Sequence, residues 1–222
     1  MATIKSSFLN MVMTLFLVTF ISAAILGFVQ SMTKDAIDAA KEKAQNEAIK
    51  AILPPFAELG AAYKVAPAGS TDSLEMYPAY DASKALVGVA VKTYTKNGFS
   101  GLIDLMVGFK PDGEIAGFQV LEHKETPGLG SKMQAWFSNL AKPGQNIIGK
   151  NPATTDMHVS KDGGGVDAIT ASTITSRAFL EAVSRAYDTY KASMATTGAP
   201  ATEPGAEANA TTGTTTEQGG VQ

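Results

Sequence analysis

The stretch VDAITASTITSRAF, residues 166–179, sets Thr170, Ser172, Thr173 and Thr175 in front of an apolar helical pattern. A helix start leaves about four backbone N–H groups unpaired and carries roughly half a positive charge. Hydroxyls placed there can cap the helix, and the N–H groups can hold a phosphate. Gly163, Gly164 and Gly165 precede the stretch and permit tight turns, and Arg177 follows one turn beyond Thr173. Ala171 and Ser172 are small, so a bulky group can approach. From the residues alone, a helix cap with spare hydroxyls and a phosphate-anchoring site both stand open.

A second stretch, HKETPGLG at residues 123–130, carries one Pro and two Gly. Such a loop can bring backbone N–H and C=O groups close to a flat ring, and it also serves as a plain strand-to-helix connection. Other chemistry is scarce. The absence of Cys removes disulfides, thiolate metal sites and thiol nucleophiles. His123 and His158 are too few and too far apart to suggest a His-rich metal centre, and no local Asp/Glu cluster advertises a carboxylate one. A net charge of −3 with no basic run excludes a nucleic-acid face.

The elements that must position these stretches read as α+β, a mainly antiparallel sheet packed with helices. Residues 86–91 alternate like a strand, and so do 102–109 and 115–123. Lys96-Asn97-Gly98 has hairpin chemistry and Pro111-Asp112-Gly113 makes a second turn, so a meander is predicted. In residues 102–109, Leu102, Asp104, Met106 and Gly108 oppose Ile103, Leu105, Val107 and Phe109. Residues 67–80 read as mixed and turn-rich. Met133, Trp136, Phe137 and Leu140 follow at helical spacing and are expected in the core. A last helix is predicted over about 175–191, with Phe179, Ala182, Val183, Ala186 and Tyr190 on one face. Glu181 and Arg185 stand one turn apart on it and are expected to pair.

At the other end, residues 8–30 form an uncharged apolar run long enough to cross a bilayer. A cleaved signal peptide with Ser22-Ala23-Ala24 as its site is the competing reading; the apolar run continuing through Ile25, Leu26, Phe28 and Val29 opposes it. Lys5 before the span, and mixed charges after it, favour residues 1–7 in the cytoplasm and the body outside. Residues 31–55 read as a helical stalk with Thr33 as N-cap and Pro54-Pro55 as its stop. The folded domain is expected over 56–192. Residues 193–222 are Ala, Thr, Gly, Pro and Glu with almost no large apolar side chain, and are expected to be disordered.

Residues 167–173, DAITAST, are similar to the flavin-attachment motif D-x-x-[ST]-G-A-T of the FMN-binding domain family, with Ala171 and Ser172 in place of Gly and Ala. ETPGLG at 125–130 is similar to a loop of the same family. The apolar span, Thr33-Lys34, the Ala/Lys/Glu stalk and Ile52-Leu53-Pro54 resemble the G subunits of Rnf electron-transport complexes. The C subunits of sodium-pumping NADH:quinone reductases rank second. An anchored FMN-binding sensor or maturation factor, and a cofactor-free structural module, are the readings from other classes.

The resemblance implies an inner-membrane flavoprotein that relays electrons in an ion-translocating ferredoxin:NAD oxidoreductase and is not catalytic alone. Its FMN would be joined by phosphoester to Thr173, making the chain a phosphoprotein, by a flavin transferase that reads Asp167, Thr170, Ala171, Ser172 and Thr173. Glu125, Thr126, Gly128, Leu129 and Gly130 would line the ring, backbone N–H groups near Ile174 and Thr175 would solvate the phosphate, and Thr170 is also expected at the cofactor. Partners would be polytopic and iron–sulfur subunits, and no metal site of its own is implied.

Overall fold

The structure, a computed structural model, describes residues 8–67 and 72–197. Its first element is a single helix of 45 residues, α1, Phe8–Ile52. At 1.5 Å per residue it is about 68 Å long, twice what a bilayer core needs. The apolar run and the stalk are therefore one rod. Thr33 does not restart the helix: its hydroxyl donates to Val29 O at 2.8 Å, an interior back-bond, so the expected N-cap is corrected. The helix ends at Ile52, just before Pro54-Pro55, whose rings cannot continue the hydrogen-bond ladder.

Among the described residues six strands follow in one antiparallel sheet: β1 Glu58–Leu59, β2 Tyr63–Val65, β3 Leu74–Tyr80, β4 Leu86–Gly98, β5 Gly101–Phe109 and β6 Ile115–His123. The order is β1-β3-β4-β5-β6, with β2 also on β3. The meander β4-β5-β6 follows the predicted pattern. Strand β3 departs from the turn-rich reading of residues 67–80; Pro78 sits inside it, and its carbonyl accepts from Gly60 N at 2.8 Å. The β4–β5 turn is also shifted. Asn97 and Gly98 belong to β4, Gly98 pairs with Gly101, and Phe99-Ser100 form the tip. The positive φ falls on Gly101, at +101°.

Both faces of the sheet are covered, which is why β5 is buried nearly throughout. On one face Ile103, Leu105, Val107 and Phe109 meet helix α3, Thr173–Thr197. Phe179 of α3 stacks on Phe137 at 4.5 Å between ring centres and meets Phe118 edge-on at 5.1 Å. The expected apolar face of this helix is buried, although the helix begins two residues earlier and runs to Thr197. On the other face Ala48, Ile49, Ile52 and Leu53 from the end of α1 pack against Tyr77, Ala79, Ala90 and Met106.

Helix α2 is short, Met133–Phe137; Met133 and Phe137 enter the core, whereas Leu140 lies beyond its end and is 73% exposed. Glu181 and Arg185 do not pair. Glu181 accepts from Asn97 Nδ2 at 2.8 Å, and the Arg185 guanidinium lies over the Tyr94 ring at 4.8 Å. Residues 193–197, expected in the disordered tail, instead continue α3, with Ser193 buried and its hydroxyl 3.1 Å from the Tyr63 hydroxyl; residues 198–222 and 1–7 lie outside the described residues.

Candidate functional site

The two motif stretches meet at one end of the sheet. Helix α3 begins there because Ser176 closes its first turn. The Ser176 N–H donates to Ser172 O at 3.0 Å, while its hydroxyl donates to the same carbonyl and accepts from Ile169 N, each at 2.9 Å. With the ladder starting at that bond, the N–H groups of Thr173, Ile174 and Thr175 have no intrahelical acceptor. Thr175 is used differently. Its buried hydroxyl donates to Glu125 Oε2 at 2.6 Å, across 50 residues of chain.

Glu125 ties three elements together. It is 4% exposed, and its Oε1 accepts from Ser100 N at 2.9 Å, at the β4–β5 tip. Two donors on a buried carboxylate satisfy much of what burial would otherwise leave unpaired. The loop must come very close to do this. A Cβ added to Gly130 would stand 2.7 Å from Glu125 Oε2 and 2.8 Å from Thr175 Oγ1, so no side chain fits there.

The resulting concavity, about 340 Å3, is lined by Phe99, Glu125, Thr126, Leu129, Gly130 and residues 171–175. Its floor is polar, and its rim carries three exposed apolar side chains, Phe99, Leu129 and Ile174. Thr173 stands on the wall, with Lys161 Nζ 3.4 Å from its hydroxyl. Arg177 is drawn away from Thr173 by Asp162, with Nε and Nη2 each 2.7 Å from its oxygens. That contact holds the Asp162 carboxyl below the usual carboxylate range and raises the Arg177 guanidinium further. Among the described residues, Lys161 is thus the cation that reaches the Thr173 hydroxyl.

The backbone at the wall is unusual. Ala171 has φ +61°, a left-handed conformation that costs a residue with a Cβ. It turns the chain from the Ile169 carbonyl, which accepts from Ser172 N at 3.0 Å, into the first turn of α3.

A profile of the FMN-binding domain family matches residues 98–188, a span that contains both motifs and the concavity. The G subunit of the ion-translocating oxidoreductase complex of Aliivibrio fischeri is 32% identical over 202 residues, covering 86% of this chain and 92% of that one. The chain belongs to the family of G subunits of ion-translocating oxidoreductase complexes. Another relative with this name, from Shewanella oneidensis, is 37% identical over 118 residues. Against that one the match spans about half its length, 55%. The crystal structure of Shewanella oneidensis NqrC is similar at 24% identity and a TM-score of 0.43, covering 57% of this chain and 62% of that one.

In this member of the G-subunit family, the residues expected from sequence divide by position. Glu125, Thr126, Leu129, Gly130, Ala171, Ser172, Thr173, Ile174 and Thr175 share the concavity. Gly128, Thr170 and Asp167 do not line it. Gly128 donates its N–H to Ser131 Oγ at 2.9 Å, and Thr170 is exposed on the approach to α3. Asp167 braces the preceding loop: its Oδ1 accepts from Ser160 Oγ at 3.0 Å and its carbonyl from Trp136 Nε1 at 2.9 Å. Sequence reasoning missed Phe99 and Lys161. An aromatic beside Gly98 and a Lys one residue before Asp162 are weak signals until the fold brings them to Thr173.

Proposed function

We propose that this chain is the electron-relay subunit of a membrane-bound ion-translocating oxidoreductase, carrying FMN joined through its phosphate to Thr173. One observation carries the reading. Two separate motifs meet at a single concavity through the Thr175–Glu125 hydrogen bond, with Thr173 on its wall.

The residues present fit the group. A phosphoryl oxygen needs donors, and the N–H groups at the start of α3 and the Lys161 ammonium supply them. A flat ring needs apolar surface and room; Phe99, Leu129 and Ile174 give the first, and the glycine at position 130 the second. When bound, FMN supplies the electron-transfer chemistry, and the chain supplies position and electrostatics. Thr173 is an anchor in this picture, not a nucleophile in turnover. Glu125 holds the β4–β5 tip, the loop and α3 in fixed relation, so the walls of the cleft stay preorganised.

An anchored cofactor suits the topology. α1 is long and apolar enough to cross a membrane. With residues 1–7 inside, the domain stands outside the cytoplasm, where no flavin pool replaces a lost cofactor. Electrons would run between reduced ferredoxin and NAD through polytopic and iron–sulfur subunits, and a flavin transferase would attach the FMN. The test is intact-mass measurement of the chain co-expressed with a flavin transferase. A gain equal to FMN less water is expected in wild type and none in Thr173→Ala; unmodified wild-type protein would sink the assignment.

A further inference from the structure

The end of the sheet that carries the concavity also faces back along α1 toward its apolar half. The packing fixes this direction. Ile52 lies against Gly117 and Gly108, where an added Cβ would stand 2.9 Å from the Ile52 carbonyl oxygen. Leu121, four residues further along β6, lines one groove with Ala44 and Ala48. Four strand residues span about 13 Å, and the eight helix residues from Ile52 back to Ala44 span about 12 Å. The two lengths agree, so α1 runs close to antiparallel with β6. On β4, Lys92 Nζ donates to Gln45 Oε1 at 3.2 Å while Leu53 packs over Gly88, in the same sense.

Carrying this alignment outward sets a height for the site. From Gly108 back to Gly101, β5 covers seven residues, about 23 Å. The same distance along α1 is about 15 residues, from Ile52 to the level of Ile37. The Phe99-Ser100 tip projects one step beyond Gly101, to the level of about Lys34, the first charged residue after the span. With the hydrocarbon ending near Val29, that level falls about 8 Å further along α1, in the headgroup layer.

The side chains presented there match that environment. Phe99 is 66% exposed, Ile174 51% and Leu129 40%, large apolar groups at the rim of one cleft. Lys161, exposed, reaches Thr173 on the same wall, and Lys124, exposed, immediately precedes Glu125. An apolar edge flanked by Lys is the composition that settles on an anionic lipid surface.

We propose that the rim of the concavity, Phe99, Leu129 and Ile174, rests on the headgroup layer of the membrane that α1 crosses. The mouth of the site then opens at the bilayer surface. This rests on α1 spanning the bilayer and not on flavin attachment.

The chain has no Cys, which permits clean single-site labelling of the full protein in lipid nanodiscs. A fluorophore would be placed by Phe99→Cys, by Ile174→Cys, by Ala82→Cys at the opposite end of the sheet, and by Leu17→Cys within the span. The probe is a phospholipid carrying a nitroxide on its headgroup for positions 99, 174 and 82, and on its acyl chain for position 17. Quenching at 99 and 174 should exceed that at 82 several-fold and should deepen when anionic lipid is added. Inserting about seven helix-forming residues after Ser31, about 10 Å of rise, should remove most of it at 99 while position 17 stays quenched.

Equal quenching at 99 and 82, with position 17 quenched, would overturn the proposal and leave the membrane span intact. An unquenched label at 17 would overturn the span itself. Quenching at 99 that is lost when the other proteins of the complex are present would also overturn it, showing that a protein partner, not lipid, covers the rim.

Discussion

Replacing Ala171 by Gly should stabilise the folded domain, against the usual direction of an Ala-to-Gly change. Ala171 holds φ +61° immediately before α3. A left-handed backbone costs a residue with a Cβ about 1–2 kcal/mol. Glycine removes that cost but loses about 0.4–1 kcal/mol through the greater freedom of its unfolded chain. Ala171 is exposed, so deleting its methyl sacrifices little burial. The net expectation is a gain of about 0.5–1 kcal/mol, or a rise of about 1–4 °C in Tm for a domain of this size. Ala171→Val should move the other way, because a β-branched side chain resists the same conformation and strain of this kind runs to about 1–3 kcal/mol. The assay is thermal and urea unfolding followed by Trp136 fluorescence and circular dichroism. Ala171→Gly that is no more stable than wild type, together with a neutral Ala171→Val, would refute the left-handed turn at the wall of the site.

Two further outcomes follow from the packing between α1 and the sheet. Gly117→Val should destabilise by about 1–3 kcal/mol, because the new Cβ would stand 2.9 Å from Ile52 O and 3.0 Å from Ile52 Cα; urea unfolding measures it, and wild-type stability would mean that α1 does not seat there. Burial, then the Glu122 carboxylate opposite, raises the Asp104 pKa above its ordinary value, with Lys92 and Lys41 opposing. A raised carboxyl pKa means the folded state binds more protons than the unfolded chain. Stability is therefore lost as pH rises from the ordinary carboxylate range through the folded pKa. Asp104→Asn should be more stable than wild type near neutral pH and lose that advantage in acid; a difference independent of pH would count against the coupling.

How much of this was legible along the chain depended on how local each cause is. The strands β5 and β6 announce themselves by alternation, since their pattern is set by the side-chain period of two. Strand β3 does not, because Pro78 and the preceding GSTDS run, residues 69–73, look like turn chemistry. It is held in place by pairing with β4 and by covering on both faces, and neither can be read locally. The β4–β5 turn illustrates the same limit. Asn97-Gly98 carries the stronger local signal, yet strand pairing and the Ser100–Glu125 contact set the tip at Phe99-Ser100. Leu140 and the Glu181–Arg185 pair had helical spacing in their favour. Leu140 falls past the end of α2, and Arg185 finds the Tyr94 ring instead.

The sequence alone determined the apolar span, the β meander, the α3 helix and the two motif stretches, because each rests on spacing, length or residue type within one segment. Only the tertiary structure decided what those motifs do to one another. Folding buries the Glu125 carboxylate, and a buried carboxylate needs donors; these come from Ser100 and Thr175, on elements distant in the chain. That requirement draws the hairpin tip, the loop and the helix start into one cleft. It brings in Phe99, which no local pattern singled out. The height of the cleft is likewise a property of packing, set by how far Ile52 slides along the glycines of β5 and β6 before backbone meets backbone.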